Sequence, residues 1–155
     1  PGALVAELSD LAEMSTSLLA QRPSQSSGGE RQRASFLRTL ALETPLFVLD
    51  EPFSALDYHR RVRVVGRVRE RMRERKATCV LVTHDIRDAT HFADRLIVYR
   101  SLARAGATEP GVGRFVEGPK IDLGENRPYA IRETREFFEA SNHAHRECED
   151  ADLHS

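Results

Sequence analysis

Apolar residues recur along this chain with two different periods, and the switches between them mark its elements. Over residues 3–20, Leu4, Leu8, Leu11, Leu18 and Leu19 fall at helix-like intervals, which predicts an amphipathic helix. A polar, proline-containing loop follows from Gln21 to Ser27. From Gly28 to Leu42 the buried side is carried by Phe36, Leu37, Leu40 and Ala41, so a helix opening at the glycines is predicted. Thr44-Pro45 breaks it, and residues 46–50 form a short apolar run that predicts a buried strand. Residues 58–75 predict a second helix with Val62, Val65, Val68 and Met72 as its stripe. Thr78 to Val82, rich in β-branched residues, predicts a second strand. A short helix over residues 86–93 leads to a third strand, Arg95 to Tyr99. Alternating strand and helix implies an α/β fold, a parallel sheet with helices against it.

The character changes after Arg100. Residues 101–128 contain five of the nine glycines and three of the seven prolines, predicting loop or irregular β-structure. Residues 129–141 predict a helix with Ile131, Phe137 and Phe138 as its apolar contacts, and the polar, acidic last dozen residues are expected to fray. The chain thus divides into residues 1–100 and an extension, 101–155.

Composition narrows the possibilities. A length of 155 residues suits one domain, and 40% apolar content can build a core. The formal charge of −1 gives no global pull toward nucleic acid or anionic membrane. No apolar run approaches the ~20 residues a membrane helix needs, and no signal peptide is visible. Cys79 and Cys148 form no metal-type pair, which fits a reducing cytosol. The run Arg60 to Lys76 holds eight arginines and one lysine against Glu70 and Glu74. Its apolar stripe and its lack of stacking aromatics favour a solvated helix face, with no nucleic acid expected. His143, His145 and Cys148 are read as part of the fraying tail rather than a metal site, since no second cluster completes the coordination.

Two features carry chemistry. Ser27-Gly28-Gly29 opens a basic helix, where backbone N–H groups are free to meet a phosphate and glycine permits close approach. The strand ending in Asp50-Glu51 delivers two carboxylates to its C-terminal end, where open α/β sheets bind ligands. One suits phosphate, the other a metal ion and a water, so together they point to a nucleoside triphosphate. Each has a plainer reading: a helix-opening turn, an Asp-Glu turn cap, and for Asp57 the N-cap of the helix over residues 58–75.

Ser27-Gly28-Gly29-Glu30 with Arg31-Gln32-Arg33 resembles the signature motif of ATP-binding cassette (ABC) ATPases. Residues 46–50 resemble their Walker B strand, and Glu51 matches the catalytic glutamate after it. Pro52 to Asp57 resembles the D-loop, and Val82-Thr83-His84-Asp85 the switch-histidine loop. The motifs stand in the family's order and spacing across roughly residues 23–100. The resemblance implies a RecA-like P-loop NTPase fold, here its C-terminal part. It also implies that Ser27, Gly28, Gly29 and Glu30 cap the γ-phosphate of ATP held by a second nucleotide-binding domain in a head-to-tail dimer. Asp50 would hold Mg²⁺, in part through water. Glu51 would orient the attacking water, His84 would contact the γ-phosphate, and Asp57 would reach across the interface. Ser26 stands where the family usually has leucine, and Glu30 where it often has glutamine.

No segment resembles the phosphate loop with its Gly-Lys-Ser or Gly-Lys-Thr ending. Gly113, Gly118 and Pro119-Lys120 imitate it, but proline interrupts the motif and Ile121 stands where a hydroxyl is needed. By resemblance this polypeptide is therefore expected to be a poor ATPase alone. Residues 50–57, with Thr83-His84-Asp85, Ala89 and Ala93-Asp94-Arg95, are most similar to importer ATPase subunits. Asn126-Arg127-Pro128, Arg132 and Phe137-Phe138 loosely resemble the nitrate, sulfonate and taurine group. That implies permease subunits as partners and a place at the inner face of the cytoplasmic membrane. DNA-repair and chromosome-structure ATPases share the motifs, yet residues 1–26 lack the heptads of their coiled coils. A non-catalytic remnant lending only its signature in trans would have this same sequence.

Overall fold

The computed structural model describes residues 2–11, 15, 22–101 and 113–153. The chain falls into two compact units, Pro1–His84 and Asp85–Ser155.

The first unit contains α1 (Gly2–Leu11), α2 (Gly28–Ala41), β1 (Leu46–Asp50), α3 (Tyr58–Glu74) and β2 (Thr78–Val82). The leucine repeat read over residues 3–20 is helical as far as Leu11, and Leu18 and Leu19 lie outside the described residues. β1 and β2 pair in parallel, from Leu46 opposite Thr78 to Asp50 opposite Val82, with α3 as the crossover that a parallel pair requires. The core gathers Phe36, Leu37 and Leu40 of α2, Phe47 and Leu49 of β1, Phe53, and Val62, Val65, Val68 and Met72 of α3. Phe36 and Phe53 meet edge to face, 5.7 Å between ring centroids.

β1 was expected to be buried throughout, and only one face is. Phe47 and Leu49 point into the core, whereas Val48 is 63% exposed and Leu46, Val80 and Val82 are also exposed. Strand side chains alternate between faces, and the described helices of this unit cover one of them. A second correction concerns the arginine-rich helix, which is more than a solvated face. Arg69 and Arg71 are buried, Arg71 pairs with Glu7, and Arg67 pairs with Asp10 while donating to its carbonyl at 2.7 Å. Arg75 donates to the carbonyls of Leu40 and Leu42, at 3.1 and 3.0 Å, capping the end of α2.

The second unit contains α4 (Ile86–Phe92), β3 (Arg95–Ser101), β4 (Gly113–Lys120) and α5 (Arg135–Leu153). β3 pairs antiparallel with β4, Tyr99 opposite Phe115, rather than lengthening a parallel sheet. The segment that imitates a phosphate loop is thus a strand. At Gly118 a Cβ would stand 3.1 Å from the Cβ of Leu96, so close packing explains that glycine. Up to Leu153 the tail is helical rather than frayed as expected: after a 3-10 turn, Tyr129–Glu133, α5 runs from Arg135 to Leu153. Phe137 and Ala144 are buried from it, which ties down residues that composition alone marks as loose, while Phe138 is exposed.

Buried polar side chains organise this unit. Arg127 donates Nη1–H to the carbonyls of Thr90, His91 and Ala93, at 3.2, 3.3 and 2.6 Å, satisfying the end of α4. Arg132 joins Asp88 at 2.7 Å, both nearly inaccessible, and gives its Nε–H to His91 Nδ1 at 3.0 Å. His91 Nε2 lies 2.9 Å from the Arg127 carbonyl. A ring nitrogen that accepts from Arg132 leaves the other to donate, so His91 is held neutral with its proton on Nε2. Among the described residues no helix is long and apolar enough to cross a membrane.

Candidate functional site

The β1–β2 register places the site. Because Asp50 pairs with Val82, the residue after β1 falls beside the two residues after β2. Glu51 continues the ladder by donating its N–H to the Val82 carbonyl at 2.9 Å, then turns into a left-handed backbone conformation, φ +43°. That conformation is uncommon outside glycine and requires support from its surroundings. The turn aims the Glu51 carboxylate at His84: Oε1 lies 2.7 Å from His84 Nδ1 and accepts the His84 N–H at 2.8 Å. Thr83 Oγ1 donates to Oε2 at 3.4 Å. Partial burial, the strongest single influence on this carboxyl, pushes its pKa up. The hydrogen bonds from the His84 ring and amide, the His84 charge and the Thr83 hydroxyl together outweigh it, and Glu51 sits below the usual glutamate value. His84 is 83% exposed beyond that contact.

Asp50, the other carboxylate, is exposed at the end of β1. One open carboxylate suits Mg²⁺, which keeps several waters and takes the rest of its shell from phosphate oxygens. Among the described residues no group of three or more His, Cys, Asp or Glu forms a metal site of its own.

At the start of α2, Ser27 is the N-cap in a complete capping box. Its Oγ accepts the Glu30 N–H at 3.3 Å, and the Glu30 carboxylate accepts the Ser27 N–H at 2.7 Å, which holds the Glu30 carboxyl below its usual value. The Ser27 hydroxyl also hydrogen-bonds the Glu30 carboxylate, which lowers the Glu30 pKa further. Gly28 and Gly29 are helical, and nothing in the fold requires them to be glycine. A Cβ on Gly28 would meet nothing nearer than Arg31 Nη2 at 4.0 Å, and one on Gly29 would have ordinary contacts at 3.5 and 3.7 Å. Glycine in a helix costs about 0.5–1 kcal/mol relative to alanine. Open space at both positions leaves the helix start accessible to a ligand. Ser26, in the position of the usual leucine, accepts from Arg31 Nη1 through its carbonyl at 2.6 Å.

Asp57 caps α3, accepting the Arg60 N–H at 3.1 Å and pairing with the Arg60 guanidinium at 3.3 Å. The Arg60 amide is the chief reason its carboxyl lies below the ordinary aspartate value. Glu51 and His84 are therefore brought into contact, while Asp57 is engaged as a helix cap. Sequence reasoning gave Gln32 no role, yet its Nε2 donates to the Glu51 carbonyl at 3.2 Å and to Ser54 Oγ at 3.1 Å. Arg33 Nη1 donates to the Ala55 carbonyl at 3.3 Å. Both lie one helical turn beyond the glycines, on the side of α2 facing the 51–55 turn, a placement that periodicity alone could have flagged.

Residues 3–54 match the family model described as ABC transporter. The chain is 43% identical over 106 residues to an Fe(3+) ions import ATP-binding protein of Rhodococcus jostii, covering 67% of this chain and 31% of that protein. It is 42% identical over 96 residues to a sulfate/thiosulfate import ATP-binding protein of Photorhabdus laumondii, 62% of this chain and 26% of the relative. A thiamine import ATP-binding protein of Salmonella choleraesuis is 44% identical over 82 residues, 53% of this chain and 35% of the relative. The chain thus spans about a third of the length of the curated relatives it matches. The family match over residues 3–54, the import ATP-binding relatives and the α/β architecture are consistent with part of an ABC transporter ATP-binding domain.

Proposed function

We propose that this chain is part of the ATP-hydrolysing subunit of an ABC importer and supplies the signature, Walker B, D-loop and switch-histidine elements of its nucleotide sites. The observation that carries this reading is the contact between Glu51 and His84, 2.7 Å, one residue beyond an exposed Asp50 at the C-terminal ends of parallel strands. Glu51 Oε1 is committed to His84, and Oε2 retains lone-pair capacity to accept from a water that attacks the γ-phosphorus. His84 uses Nδ1 on Glu51, so its Nε2 faces outward and donates to a phosphate oxygen when protonated. Asp50 holds Mg²⁺, which neutralises charge on the phosphates when bound. The backbone N–H groups of Gly28 and Gly29, joined by the Ser27 hydroxyl once it turns from Glu30, meet the γ-phosphate of ATP bound to a second nucleotide-binding domain, and the positive end of α2 favours that charge. Asp57 reaches the partner domain from the cap of α3.

Permease subunits complete the transporter, and the assembly sits at the inner face of the cytoplasmic membrane. Relatives named for iron, sulfate and thiamine import support an importer without selecting a solute. The narrower likeness to the nitrate, sulfonate and taurine group rests on Arg127 and Arg132 among few others, and both are buried within their own unit. No segment of the chain reads as a phosphate loop, so the 155-residue polypeptide alone binds ATP weakly and hydrolyses it negligibly. Phosphate release from MgATP by the purified chain tests this. Robust turnover abolished by Glu51→Gln would show a complete site and refute the divided one.

A further inference from the structure

Glu51 holds a strained backbone conformation, and its carbonyl is unusually well attended. It accepts from the Ser54 N–H at 3.3 Å, from Ser54 Oγ at 2.9 Å and from Gln32 Nε2 at 3.2 Å. Two of these donors belong to the turn itself. Gln32 comes from α2, nineteen positions earlier, and is held in place by a second bond to Ser54 Oγ at 3.1 Å. The φ of +43° is a backbone torsion that no side-chain rotation relieves, and the backbone it belongs to fixes the Cα–Cβ vector from which the carboxylate reaches His84.

We infer that Gln32 is a positioning residue: it fastens the helix that opens with Gly28-Gly29 to the peptide of Glu51, and so sets where the Glu51 carboxylate meets His84. This deepens the proposed ATPase reading and rests on it for its catalytic meaning, but its geometry is independent of nucleotide. The chain of contacts is short. From the glycine N–H groups it runs one helical turn to Gln32, across a hydrogen bond to the Glu51 carbonyl, and through that residue to His84 Nδ1 at 2.7 Å. An anion pulling on the start of α2 would reach the carboxylate through this bond, and a displaced Glu51 would loosen the grip of Gln32 in return. Arg33, donating to the Ala55 carbonyl at 3.3 Å, holds the far end of the same turn but does not touch Glu51.

The test compares the full chain with Gln32→Ala, Gln32→Glu and Gln32→Lys. Glutamate keeps the length and removes the donor, while lysine keeps a donor at similar reach. Two measurements need no ATP: amide exchange at Glu51, Ser54 and His84, and the ring-nitrogen NMR shift of His84 Nδ1 at fixed pH, which reports its contact with Glu51. The expected result for Gln32→Ala and Gln32→Glu is a loss of protection of about fivefold confined to those amides. It is accompanied by movement of the His84 Nδ1 shift away from its hydrogen-bonded value, with both effects reversed in Gln32→Lys. Amides in α3 report general loosening: if protection falls there equally, or the His84 Nδ1 shift stays put, Gln32 is only a structural contact and the inference is overturned. Phosphate release with Glu51→Gln judges the ATPase reading separately, so either conclusion can fail without the other.

Discussion

The Nδ1 of His84 lies 2.7 Å from the Oε1 of Glu51, across two loops separated by thirty-three positions in sequence. Strand register makes this contact: Asp50 opposite Val82 leaves the residues that follow each strand facing one another. The pair predicts a pH dependence. The Glu51 carboxyl lies below its usual value, so its stabilising effect is fully present above the unfolded glutamate pKa, about 4.3. It is lost as pH falls through the lower folded value. His84→Ala removes both the ring contact and the ring charge, and should raise the Glu51 midpoint measured by carboxyl NMR.

Stability and function should part company at the glycines. Gly28→Ala and Gly29→Ala meet no obstruction within the chain, so either variant should raise the urea midpoint, by about 0.5 kcal/mol in stability. Both should weaken phosphate recognition by the same helix end. A glycine variant that lowered stability would show an internal need for glycine and remove that argument for a ligand. Ser27→Ala, by contrast, breaks the capping box and should cost about 1 kcal/mol in the same measurement.

Arg132→Met leaves the Asp88 carboxylate buried with its principal partner gone, and takes the Nε–H from His91 Nδ1. Loss of one member of a buried pair costs about 3–5 kcal/mol. Urea unfolding followed by a probe in the second unit should show that loss. The double variant Asp88→Leu with Arg132→Met should recover a large part of it, because no uncompensated charge remains.

Burial pushes the Cys79 thiol up to about 11. Since the thiolate is the reactive form, alkylation of folded Cys79 at pH 8 should run about a hundredfold slower than that of an ordinary exposed cysteine. Peptide mass spectrometry after timed iodoacetamide treatment checks this, and denaturation should restore the rate.

Much of the site was legible before folding was considered. Ser27 to Glu30, Asp50-Glu51 and Thr83-His84 stand at element ends that local rules already mark, because caps, turns and strand ends are written in neighbouring residues. The contacts of Gln32 are not legible in the sequence, because they are set by what faces α2 across the 51–54 turn, and a spacing of nineteen positions leaves no local signature. The arginine-rich helix reads as solvated in the sequence for a similar reason. Its acidic partners, Glu7 and Asp10, sit on α1, more than fifty positions away.

What the residues determined by themselves is the order of helices and strands, the cap at Ser27, the carboxylates at the end of β1 and the family likeness of the motifs. Each depends on interactions within a few positions, where periodicity and turn chemistry act directly. Tertiary structure decided which face of β1 is covered, that β3 pairs with β4 in antiparallel fashion, and that α5 persists to Leu153 because Phe137 and Ala144 find a buried surface. It also decided the left-handed turn at Glu51 and the atoms that hold it. Those outcomes depend on contacts between distant segments, whose energies exceed local preference only once the elements have packed.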